Sequence, residues 1–145
     1  MKMTPMATLE ETLAEAVATG KLGSVVSVRA MLHLPGEESD LETAASVVLS
    51  LSGRLVGSET GSLVARGHGS GRQLNLLLRL DAGPIVSLSL TSGSVDQLEL
   101  ALVVVGNHGV IRLEGAELAE EIGLSAEAFA VADDAWLERI RAVAG

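Results

Sequence analysis

The sequence predicts an α+β fold, an open, mostly antiparallel sheet with helices on one face. Three observations predict it. From Gly61 onward, apolar residues recur at every second position, in runs separated by Gly-rich breaks. Before that point, and again at the C-terminal end, apolar residues recur at helical spacing. The breaks between the later runs are too short to hold crossover helices, so those strands are expected to pair antiparallel. At 145 residues the chain reads as a single domain, 1–145, long enough to bury a core without staples.

Residues 1–7 read as a disordered start. Thr8 and Glu11 fit a capping box, which predicts a helix over 9–19 with Leu9, Leu13, Ala16 and Val17 on one face. Gly20 stops it. Gly23–Leu34 follows as a strand, with Val26, Val28, Ala30, Leu32 and Leu34 in one phase. Ser27, Arg29 and His33 fall in the other phase, together with Val25 and Met31. Pro35-Gly36 ends it. Asp40–Leu51 reads as a helix closed by Gly53. Ser62–Arg66 is the next strand, followed by the turn Gly67-His68-Gly69-Ser70-Gly71. Leu74, Leu76, Leu78 and Leu80 mark one strand, Val86, Leu88 and Leu90 another, and Leu98, Leu100, Leu102 and Val104 a third. Gly106-Asn107-His108-Gly109 is a four-residue loop into Val110–Leu113. Ala116–Ile122 has helical spacing. Asp133 or Asp134 caps a last helix that carries Trp136, Leu137, Ile140 and Val143. The sheet is expected to hold about five or six strands.

Composition excludes several functions. A net charge of −9, from 19 acids and 10 bases, lacks the basic footprint of a nucleic-acid binder. With one Phe, one Trp and no Tyr, the core must be aliphatic, and stacking platforms for bases or sugars are scarce. The absence of cysteine removes disulfides, thiolate metal sites and thiol nucleophiles. No apolar run approaches the roughly 18 residues of a membrane span. The opening MKMTPMATLEE has no apolar signal region, so a cytoplasmic location is expected.

The stretch Gly20-Lys21-Leu22-Gly23-Ser24-Val25-Val26-Ser27-Val28-Arg29-Ala30 resembles the opening of the C-terminal domain in the Gfo/Idh/MocA family, the glucose–fructose oxidoreductase and inositol dehydrogenase relatives. There, a helix ends in a similar Gly-Lys-Leu-Gly turn and enters the first strand of an open sheet. Val105-Gly106-Asn107-His108-Gly109-Val110-Ile111-Arg112-Leu113 is similar to the family's late hairpin. The resemblance covers about residues 9–143. It implies a two-domain enzyme whose N-terminal Rossmann domain binds NAD or NADP and whose C-terminal domain supplies part of the substrate pocket and the oligomer interface. It also implies a Rossmann-side lysine and an acid/base histidine in an Asp-x-x-x-His pattern on the C-terminal domain's first helix.

This sequence departs from that pattern. It contains no Gly-x-Gly-x-x-Gly. The turn at Gly67–Gly71 has the wrong spacing, with Arg72 at the sixth position. The catalytic helix aligns with Asp40–Gly53, where Asp40 matches the aspartate and Ala44 stands at the histidine. Counting back from Gly53 puts Thr43 there instead. Neither side chain shuttles a proton near neutral pH. Lys2 and Lys21 are the two lysines, and neither has a catalytic context. No catalytic residue, no cofactor site and no metal site is therefore expected on this chain, and NAD or NADP would enter only through a partner.

The remaining candidates are few. Ser27, Arg29 and His33 share a strand phase and form the candidate ligand pocket, against the plainer reading of an exposed strand face. His68 and His108 fall on turns, and the three histidines lack local metal-ligand spacing. Arg66, Arg72 and the glycines between them could cradle an anion, although Gly-rich hairpin turns are common. Arg29, Arg79 and Arg112 are expected to pair with Glu99 across strands rather than bind a carboxylated ligand. The acid pairs at 10–11, 37–38, 120–121 and 133–134 read as caps and solvated faces. Val25, Met31, Leu77, Ile85, Ala101, Val103 and Val105 leave the second sheet face partly apolar, which marks an interface. A homodimer through that face is expected, against the plainer reading that terminal segments wrap over it. The functional expectation is a stand-alone domain like the substrate and oligomerisation domain of sugar or polyol oxidoreductases. It would be non-catalytic alone and act in assembly or beside a separate Rossmann subunit. The alternative is a homodimeric scaffold or small-ligand-binding module with no dehydrogenase partner.

Overall fold

Proline is well placed at the start of a helix, where its missing N–H costs nothing. Here Pro5 opens helix α1 (Pro5–Ala18), four residues earlier than the capping box at Thr8 predicts. Thr8 lies inside the helix, and its carbonyl accepts a 2.9 Å bond from Thr12 Oγ1. Residues 5–7 are thus helical rather than a disordered start. The computed structural model describes residues 5–36, 40–58, 60–67, 73–93, 95–113 and 126–143. The expected helix at Ala116–Ile122 and the turn residues His68–Arg72 lie outside them.

Strand β1 (Val25–Leu34) follows the turn at Gly20–Gly23. Its register slips between Val25 and Ser27, which marks a bulge at Val26. The bulge splits the predicted phase. Val28, Ala30, Leu32 and Leu34 are buried, Val26 is 50% exposed, and Val25 packs against the core instead.

Helix α2 (Leu41–Val56) is capped by Asp40, whose carboxylate accepts from Thr43 N at 3.1 Å and Thr43 Oγ1 at 2.8 Å. It runs past the predicted stop. Gly53 is interior, and Gly57, at φ 82°, ends the helix, with Gly57 N and Ser58 N both donating to Gly53 O. Leu55 and Val56 still pack on the core, so the apolar face continues beyond Gly53. Ala44, Ala45, Ser46, Ser50, Ser52 and Gly53 are all buried. Such small residues let α2 sit between the sheet and other helices.

Strands β2 (Gly61–Gly67), β3 (Gln73–Leu80), β4 (Ile85–Ser92), β5 (Glu99–Gly106) and β6 (Val110–Leu113) complete a six-stranded sheet. Its order is β2-β3-β4-β1-β5-β6. The hairpins β2–β3, β3–β4 and β5–β6 are antiparallel as their short links require. β4 and β5 do not pair, because β1 lies between them, parallel to β4 and antiparallel to β5. The order of strands is a tertiary choice that local alternation does not encode.

Inward residues of every strand meet the helices. Leu74, Leu78, Leu90, Leu32 and Leu49 are at most 1% exposed. Helix α3 (Asp134–Val143) covers α2 and β2 and buries Trp136 and Ile140. Asp133 caps it, accepting from Trp136 N at 3.2 Å, and Asp133 N donates to the buried Ser46 Oγ at 3.0 Å. Arg139 stacks 4.1 Å from the Trp136 ring and donates to Gly61 O, tying α3 to β2.

The two Gly-rich landmarks of the sequence form one joint. Asn107 N donates to Ser24 O, His108 N donates to Leu22 O, and Asn107 Oδ1 accepts from Ser24 N at 2.9 Å. A Cβ on Gly106 would stand 2.0 Å from Leu22 O, a backbone atom that cannot swing aside. Gly106→Ala is expected to destabilise by about 2 kcal/mol through overpacking, and Asn107→Ala by about 1 kcal/mol through a lost hydrogen bond. Urea unfolding checks both. The midpoint should fall at constant m-value, further for Gly106→Ala.

Candidate functional site: the open face of the sheet

With all three described α-helices on one side, outward strand residues form an open face. The strand registers align them in rows. One row runs Ser62, Arg79, Ile85, Ser27, Val105 and Val110. The next runs Val64, Leu77, Ser87, Arg29, Val103 and Arg112. A third runs Arg66, Asn75, Ser89, Met31 and Ala101. The last holds Gln73, Thr91, His33 and Glu99.

Ser27, Arg29 and His33 therefore lie on one strand and one face, each in a different row. Arg29 is exposed, and Ser27 and His33 are half-buried. His33 Nδ1 lies 2.5 Å from Thr91 Oγ1, which orients the ring along the sheet. Thr91 was not singled out from the sequence. Its position opposite His33 follows from the parallel β1–β4 pairing, which no local pattern reveals. Three cavities lined by described residues lie elsewhere. One of about 350 Å³ sits between α1 and the β5–β6 hairpin, beside Lys21 and Val110. One of about 120 Å³ lies between Glu10 and Arg54. The third, about 290 Å³, is bounded by Met6, Val47, Ser50, Arg54 and Asp133.

The predicted interface residues fall into two groups. Met31, Leu77, Ile85, Ala101, Val103 and Val105 all face outward, with Met31 42% and Leu77 41% exposed. Val25 belongs to the core side of the bulge. Val64 and Val110, each 52% exposed, join the face. Val64 points out because its neighbours Leu63 and Ala65 pack inward on the core. The expected pairing of Arg29 and Arg79 with Glu99 is not made. Glu99 stands opposite His33, while Arg29 stands opposite Val103 and Arg79 opposite Ile85.

On α2, the helix end at Gly57 shifts the position counted back from the closing glycine by four residues, from Thr43 to Val47. Ala44 is fully buried, Thr43 is bonded to its own cap, and Val47 lines the third cavity. None carries an ionisable group. Among the described residues, no three His, Asp or Glu side chains converge as metal ligands. No described helix is long and apolar enough to cross a membrane.

Comparison of the whole backbone with solved structures decides the fold. Scyllo-inositol dehydrogenase from Lactobacillus casei, solved with NAD(H) and scyllo-inositol, matches 98% of this chain with a TM-score of 0.68 at 14% identity. This is the fold of part of an inositol-dehydrogenase-type chain. A probable dehydrogenase from Thermotoga maritima matches 77% of the chain with a TM-score of 0.64 at 17% identity. Myo-inositol dehydrogenase from Lactobacillus casei, in complex with NAD(H) and myo-inositol, matches 73% with a TM-score of 0.61 at 19% identity. The chain spans 60%, 39% and 36% of these three dehydrogenases, respectively. No known family profile and no curated protein matches the sequence. The likeness to the Gfo/Idh/MocA type is therefore a shared fold covering part of the relatives' length.

Exposed residues of the face contribute little to folding. Arg29→Ala is expected to change stability by less than about 0.5 kcal/mol, and His33→Ala by no more than about 1 kcal/mol through the lost bond to Thr91. Thermal unfolding of the two variants checks this ranking.

Proposed function

We propose that this chain does the assembly work of a sugar- or polyol-oxidoreductase-type protein and does not itself bind the dinucleotide or transfer hydride. The observation that carries the reading is the open face. A six-stranded sheet on the dehydrogenase-like fold leaves Met31, Val64, Leu77, Ile85 and Val110 exposed on one side. A patch of that kind on a folded domain marks a contact with another protein. Support also comes from α2, where the position of the family's acid/base histidine is held by Val47, Ala44 or Thr43 in every register considered. By shape alone, the face suits a second copy of the chain or a separate nucleotide-binding subunit equally. Its charge separates these occupants.

The purified chain titrated with NADH should show no change in nicotinamide fluorescence, and supplying NAD with an inositol should produce no NADH. Saturable NADH binding by this chain alone would falsify the proposal.

A further inference from the structure

Building on the open face as an assembly surface, we propose that it takes an acidic protein surface with an apolar centre, not a second copy of this chain. The chain is acidic overall, at −9, with 19 acids and 10 bases. Its open face has the reverse balance. Four strand arginines point outward there, Arg29, Arg66, Arg79 and Arg112, against the single carboxylate of Glu99. Arg29, Arg66 and Arg79 make no hydrogen bond or ion pair with a described residue. They alternate with the apolar side chains row by row. Arg29 stands between Ser87 and Val103, and Arg79 stands between Ser62 and Ile85.

That mosaic discriminates between occupants. Arginine interleaved with aliphatic and methionine side chains is the composition of protein interfaces. Unlike charges across such a contact select partners, and like charges reject them. A second copy stacked face to face would set this arginine-rich surface on its own image, with Glu99 the one outward strand carboxylate of each copy. A second copy docked through its helical side would offer exposed acids such as Glu11, Glu15 and Glu138, whereas Glu10 and Glu42 already pair with Arg54 and Arg141. Among the described residues that side lacks the apolar centre: Val131 and Val143 are exposed there, and Val26 at the β1 bulge, whereas five large apolar residues are exposed on the sheet face. A separate chain with carboxylates around an aliphatic patch satisfies both demands.

A defined probe of that chemistry is the charge-reversed chain Arg29→Glu/Arg66→Glu/Arg79→Glu. It keeps the apolar lattice and supplies carboxylates. The three sites are exposed. Circular dichroism establishes that the probe is folded, and Arg29→Glu/Arg79→Glu replaces it if the triple variant is not. Sedimentation velocity would be run in about 0.15 M salt, where a Debye length of about 8 Å leaves only local charges to decide. The unmodified chain alone and the probe alone should remain monomeric at micromolar concentration. Their mixture should form a one-to-one complex at least about tenfold tighter than either self-association, and Leu77→Ser in the unmodified chain should weaken it. A dimer of the unmodified chain that is lost on Leu77→Ser would overturn the acidic partner while leaving the assembly reading standing. A mixture that stays monomeric with a folded probe would also overturn the acidic partner. NADH binding bears on the assembly reading alone.

Discussion

Strand β1 is hydrogen-bonded along both edges, in parallel to β4 and antiparallel to β5, and the rest of the molecule depends on that double pairing. A strand inserted between two others fixes the register of both. Ala30 meets Leu88 on one side and Leu102 on the other, so the inward rows of three strands are set together. A parallel neighbour also demands a crossover. Between β1 and β4 the chain runs through α2 and the β2–β3 hairpin, which places α2 over the centre of the sheet. The helical layer and the open face are both consequences of where β1 lies.

The joint at the base of β1 holds that placement. Leu22, Gly23 and Ser24 pack against the β5–β6 turn, and glycine is favoured on both sides for different reasons. A Cβ at Gly106 would meet the backbone atom Leu22 O at 2.0 Å, and Gly23 takes a left-handed φ of 74°. Both landmarks are visible in the sequence as Gly-rich segments. Their contact is not, because they are far apart along the chain and the contact requires β5 to pair with β1. The same reasoning covers other features. Alternation from Leu74 to Leu80 and from Val86 to Leu90 predicts strands and their buried faces directly, since side-chain direction follows a period of two. The end of α2 is less legible. A glycine stops a helix only if the chain behind it turns away, and Leu55 and Val56 keep α2 on the core past Gly53. The bulge at Val26 is invisible in a run of valines, where either phase would bury an apolar side chain.

For the candidate site, facing was legible and grouping was not. The phase of β1 puts Arg29 and His33 outward without any knowledge of neighbours. Whether Arg29 would meet Glu99 depends on register across β5, and register set Glu99 opposite His33. That offset leaves Arg29 without a carboxylate in its own row.

The two sides of the sheet thus carry different physics. On the helical side, small residues of α2 allow α1, α3 and the sheet to close around it, and Ser46, Asp133 and Thr43 satisfy one another by hydrogen bonds. Burial is complete along the inner face of α2, where Ala44, Ala45, Ser46 and Leu49 have no exposed surface. On the open side, aliphatic rows stay exposed, and Arg29, Arg66 and Arg79 stand among them with no ion pair to a described residue. The aliphatic stem of an arginine covers neighbouring apolar surface while its charged head stays in water, as a lysine's does. What arginine adds is planar, multidentate hydrogen bonding to carboxylates together with stacking on apolar surface. Arg29, Arg66 and Arg79, in three separate rows, are the side chains that the proposed protein contact would use.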